Sequence, residues 1–109
     1  MPDSVLAGFK LLAEDRFYEA HEAWEEVWLH AQKPRKLWLQ ALICLAGAGV
    51  HRQKGRPGPM HRLLHLARHR SQEASGYQER GVDSHRIAQA TEKLALGSSG
   101  SDLFSLSDR

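Results

Sequence analysis

Residues 34–52 read Pro34-Arg35-Lys36-Leu37-Trp38-Leu39-Gln40-Ala41-Leu42-Ile43-Cys44-Leu45-Ala46-Gly47-Ala48-Gly49-Val50-His51-Arg52, and this stretch sets the fold class. Proline suits the first turn of a helix, where an N–H would have no partner. Wound at 3.6 residues per turn, Leu37, Trp38, Leu39, Leu42, Ile43, Leu45 and Val50 leave almost no polar side. A helix that is apolar all round must be covered all round, so a central helix is expected with others packed about it. Its second half, Ala46-Gly47-Ala48-Gly49, is thin. An interior glycine costs about 1 kcal/mol against alanine, so the space is expected to admit a bulky neighbour such as Trp24 or Trp28.

The flanking sequence supplies the cover. Nothing in residues 1–96 alternates with period two, so strands are not expected. A first helix should start after Asp3 or Ser4, both good caps, and bury Val5, Leu6, Phe9, Leu12 and Ala13. Glu14-Asp15-Arg16 breaks the chain before a second helix near 17–30. Gly55-Arg56-Pro57-Gly58-Pro59 ends the central helix and opens another near 59–75, with Met60, Leu63, Leu64 and Ala67 inward. A loop over Gly76 to Gly81 leads to Asp83 or Ser84 as cap of a short last helix carrying Ile87, Thr91 and Leu94. The expected architecture is all-α, a compact bundle of about five helices over residues 1–96. Gly97-Ser98-Ser99-Gly100-Ser101 reads as a linker, which makes 97–109 a flexible C-terminal tail, with Leu103-Phe104 able to dock or to remain free.

Composition narrows the class. With 109 residues, 41% hydrophobic and 26% charged, the chain suits one soluble globular domain. The single cysteine, Cys44, excludes an internal disulfide and lies among Leu42, Ile43 and Leu45, as a buried inert thiol would. The longest apolar stretch, Ala41 to Val50, is too short for a membrane span, and no secretory signal is visible, so a cytoplasmic protein is expected. Charge is uneven: residues 1–30 hold seven acidic and two basic side chains, residues 31–80 two acidic and ten basic. Such complementarity suits a two-fold homodimer, and Leu103-Phe104-Ser105-Leu106 could reach a groove on a second subunit.

The densest chemistry lies in Phe17-Tyr18-Glu19-Ala20-His21-Glu22-Ala23-Trp24-Glu25-Glu26-Val27-Trp28. On a helix, Trp24, Trp28, His21, Glu25 and Glu22 fan across one side in that order. His21 and Glu25, four apart, can together chelate a divalent metal or share a proton. Glu22 is a possible third ligand. Alternatively, His21 and Glu25 hydrogen-bond to each other as a structural polar pair beneath the tryptophans, in a non-enzymatic interaction or scaffold protein. Gln40, Cys44, Gly47 and His51 share one face of the central helix, so Gln40 and His51 are the expected contributions from across the interface. His61, His65 and His69 form an i, i+4, i+8 stripe in which adjacent pairs could bind zinc or nickel. Arg62, Arg68 and Arg70 among them favour a solvated basic face. Aromatic residues for base stacking are missing there apart from Tyr77, so nucleic acid is not the expected partner.

The spacing His21, Glu25, Trp28 resembles the H-x-x-x-E-x-x-W hallmark of domain-of-unknown-function family three-zero-nine, small bacterial and archaeal proteins. Phe17 to Glu22, Gln40-Ala41-Leu42-Ile43, Ala46 to Gly49, His51, Gly55-Arg56-Pro57-Gly58 and Gly81-Val82-Asp83 are similar to that family too, across roughly residues 5–95. The resemblance implies an all-α bundle and carries the suggestion that His21 and Glu25 bind metal or take part in catalysis. The residues and the resemblance together lead to an expected small-molecule or metal site between the second and central helices. Trp28 and Trp24 would wall it, and a divalent ion (zinc, nickel or manganese) could support hydrolysis with Glu25 as base and His21 as ligand or proton shuttle.

Overall fold

The computed structural model describes residues 3–74 and 76–104. Five helices follow in order: α1 Ser4–Ala13, α2 Phe17–Trp28, α3 Arg35–Gln53, α4 Pro57–Glu73 and α5 Ser84–Ala95. A short 3-10 turn, Gly100–Asp102, comes after them. Among the described residues there is no strand, only an isolated bridge between Glu79 and Val82. The chain is the all-α bundle expected from its periodicity.

Local chemistry explains the starts. The Asp3 carboxylate accepts from the Leu6 N–H at 3.1 Å, and that of Asp83 from the Arg86 N–H at 2.9 Å, each satisfying a donor that the helix leaves free. Pro34 stands just before α3, and Pro57 opens α4. α1 and α2 are separated by Asp15, whose φ of 62° reverses the chain. Its carbonyl then accepts from Gln53 at the far end of α3.

α3 is the centre. Trp38, Leu39, Ala41, Leu42, Leu45, Ala46 and Ala48 are fully buried, and α2 and α4 pack along it. Phe17 lies at Gly49 and Trp28 at Lys36, so α2 runs antiparallel to α3. The thin half of α3 is covered, but not by the expected side chains. Phe17 fills the space over Gly49, and Leu63 of α4 comes within 3.1 Å of where a Gly47 Cβ would stand. Trp24 instead lies on Gly8 of α1. The reason is angular: Trp24 and Phe17 share the core-facing side of α2, but they are two turns apart along its axis and meet different neighbours.

Of the two courses open to Leu103-Phe104, docking is the one seen. Gly100, Leu103 and Phe104 are buried. The Gly100 N–H donates to the Asp15 carboxylate at 2.7 Å, and the Phe104 ring meets Phe9 edge-on at 5.3 Å. Composition reads Gly and Ser as linker because it cannot see the apolar socket that α1 offers. Leu103 and Phe104 are therefore used in their own core, while Ser105 and Leu106 lie outside the described residues. No helix among the described residues is long and apolar enough to cross a membrane.

Candidate functional site

α3 keeps one stripe incompletely covered. Lys36, Gln40, Ile43, Gly47 and Val50 recur at spacings of four, three, four and three, and all are only half-buried. This half-covered stripe between α2 and α4 is termed the furrow. On the α2 side stand His21 and Trp28, both half-buried, two turns apart on nearly the same bearing. On the α4 side stand Leu63 and Leu66, half-buried as well.

Three tryptophans make the contrast that marks the site. Trp24 Nε1 donates to the Val5 carbonyl at 3.0 Å, and Trp38 Nε1 to the Val82 carbonyl at 2.8 Å. Trp28 Nε1 is shut off from solvent and has no acceptor, and His21 Nδ1 and His51 Nδ1 are in the same condition. A buried donor left without a partner costs about 1–3 kcal/mol, so native structures carry few of them. Indole nitrogen only donates. Whatever satisfies Trp28 must bring an acceptor.

The surroundings are polarised. The Lys36 ammonium stands 4.4 Å from the centroid of the Trp28 ring, close enough for attraction to its π face. The Tyr18 and His21 rings lie nearly parallel, their planes 7° apart and centroids at 6.2 Å. Neither contact was foreseen. The i, i+3 spacing of Tyr18 and His21 could have revealed the second, whereas Lys36 reaches Trp28 across two elements.

The expected site residues divide. His21 and Trp28 flank the furrow, and Gln40 lies one turn beyond Lys36 on its floor. Glu25 is exposed at the rim, and Glu22 is exposed on the outer surface of α2. Trp24 is wholly buried against α1 and walls no pocket here. His51 sits near the opposite end of α3 from Lys36, one turn past Gly47 and on the face that meets α4. Among the described residues no hydrogen bond or ion pair joins His21 to Glu25: Glu25 is exposed to water, while His21 Nδ1 is buried without a partner. Nor do three His, Cys, Asp or Glu side chains converge among those residues in a way that could hold a metal ion. His21, Glu25 and Glu22 do not complete such a site. The Cys44 thiol is pushed up by burial, an effect that Arg70 partly opposes, as befits an inert thiol.

A family model for a domain of unknown function, DUF309, matches residues 5–63, more than half of the chain. The chain belongs to the DUF309 family. No curated protein and no solved structure matches it. The DUF309 match contains α1, α2, α3 and the first turns of α4, and so includes His21, Glu25, Trp28, Gln40 and His51. Gly81-Val82-Asp83, which also resembles the family, lies beyond the matched residues.

Proposed function

We propose that this DUF309 protein binds a small molecule in the furrow over α3, held by His21 and Trp28 with Glu25 at the rim. The observation that carries the reading is the unpaired Trp28 Nε1, shut from solvent, with an equally unpaired His21 Nδ1 two turns away on the same flank of α2. The ligand presents a carbonyl or carboxylate oxygen to the indole N–H, with Lys36 supplying positive charge nearby. Its apolar part rests on Ile43, two turns along α3 from Lys36. His21 and Glu25, one turn apart, can move a proton to or from a molecule lying between them. Because the donor set does not complete a metal site, no step is assigned to an ion.

The three indole N–H groups give separate signals in proton–nitrogen spectra, and that provides the test. A panel of small carboxylates, amides and ketones should move the Trp28 signal and leave those of Trp24 and Trp38 in place. His21→Ala should weaken the response. A panel that moves none of the three, or all three alike, overturns the reading. Zinc, nickel and manganese added to wild type and to His21→Ala complete the comparison: a metal bound only by wild type would replace the organic ligand with an ion.

A further inference from the structure

The stripe His61, His65, Arg68 plays no part in the furrow, because it lies on the other flank of α4. There α4 and α5 flank an open cleft of about 230 Å³, lined by these three side chains, Leu64, Thr91, Glu92 and Ala95. The titratable and charged groups facing it are His61, His65 and Arg68 from α4 and Glu92 from α5. Arg68 and Glu92 approach only to 3.9 Å, beyond a direct hydrogen bond, and both are about half exposed or more. They frame the opening without closing it. The Thr91 hydroxyl donates to the Ala88 carbonyl at 2.6 Å, so toward the cleft it offers lone pairs alone. Leu64 and Ala95 make an apolar patch beside these polar groups.

From this arrangement we infer that the α4–α5 cleft binds a small phosphate monoester. One guanidinium and two imidazole N–H donors, against one carboxylate, suit the oxygens of a phosphate group. Arg68 holds two phosphate oxygens in its planar fork, while His61 and His65, one turn apart, donate to the third. The ester's carbon part lies against Leu64 and Ala95. A cleft of this size takes a small metabolite rather than a drug-sized one. A metal ion is not the occupant that the geometry favours, since His61, His65 and Glu92 do not converge as ligands. Glu92 works against the ligand.

Phenyl phosphate is the probe, with phenyl sulfate as the singly charged match in shape. Calorimetry should show phenyl phosphate bound about tenfold more tightly than phenyl sulfate. Ring signals of His61 and His65 should shift on binding, and those of His21 should not. Arg68→Gln should remove binding and Glu92→Gln should strengthen it; both positions are exposed, so the variants fold. Equal affinity for phenyl phosphate and phenyl sulfate, unmoved His61 and His65 signals, or undiminished binding by Arg68→Gln would each overturn the assignment. Shifts confined to His21 would place the phosphate in the furrow instead and also overturn it.

Discussion

Phe17 lies so close over Gly49 that a Cβ added to the glycine would stand well inside 3.0 Å of the aromatic ring. The contact ties the first turn of α2 to the last turns of α3 and holds open the register in which His21 faces the furrow. Both partners are buried within the core, so neither can step aside. Gly49→Ala should therefore destabilise the protein by about 1–3 kcal/mol, although alanine is the better helix former. Urea unfolding measures this. A stabilised variant would show that α2 slides freely on α3.

Trp24 and Trp28 sit four residues apart on one helix and should respond oppositely to the same change. Trp24→Phe leaves the Val5 carbonyl without its donor and a void against Gly8, which should cost at least about 2 kcal/mol. Trp28→Phe removes an N–H that has no acceptor, so it should cost well under 1 kcal/mol or gain slightly. Thermal melts of the two variants side by side decide the matter. Equal losses would mean that the Trp28 indole has a partner after all.

How much of this was legible in the sequence depends on range. The central place of α3 was plain because Leu37 to Val50 leave no polar face, and Asp3 and Asp83 announced two helix starts through chemistry three residues long. The occupants of the glycine sites were not legible. Gly8 receives Trp24 and Gly49 receives Phe17 only because α1 and α3 press on different turns of α2. At the site, His21 and Trp28 stood out by spacing, whereas their condition, buried and unpaired, depends on how deeply α2 sinks into the bundle. The His61, His65, His69 stripe is exposed, as its arginine neighbours suggested, but the sequence does not show that α5 lies beside its first part.

Arg35, Glu79 and Tyr77 form a polar knot that no local pattern announced, since 44 residues separate its ion pair. The guanidinium donates to both Glu79 oxygens at 2.8 and 3.0 Å, and the Tyr77 hydroxyl donates to one of them at 2.5 Å. Hydrogen bonding to Arg35 holds the Glu79 carboxyl below the usual range, against the opposing push of burial. Burial, then the hydrogen bond to Glu79, pushes the Tyr77 phenol up. The signs follow. A depressed carboxylate stabilises the fold above its unfolded pKa of about 4.3, and the gain is lost as pH falls through its lower folded value. A raised phenol stabilises below about pH 10 and loses that as pH climbs through its folded value. Glu79→Gln should cost roughly 1–2 kcal/mol at neutral pH and flatten the acid limb of stability against pH. An unchanged acid limb would count against the knot.

Phe104 closes the end of the bundle that faces α1. Its ring meets Phe9 edge-on at 5.3 Å and is 9% exposed, and Leu103 beside it is 2% exposed. The approach is anchored twice, by the Gly100 N–H on the Asp15 carboxylate and by Lys93 on the Asp102 carbonyl at 3.2 Å. Arg52 steadies the turn before it by donating to the carbonyls of Leu94 and Ser98 at 2.9 and 2.7 Å. Phe104→Ala should thus behave as a core truncation and cost roughly 3 kcal/mol, whereas Leu96→Ala, at a side chain 86% exposed, should change stability little. Asp15→Ala should weaken the same docking without touching an apolar contact. Hydrogen exchange of the Gly100 N–H reads the docking directly: it should be protected in wild type and exchange faster in both Phe104→Ala and Asp15→Ala. Rapid exchange in wild type, with no loss of stability in Phe104→Ala, would mean that the segment after Gly97 is the free linker its composition suggests.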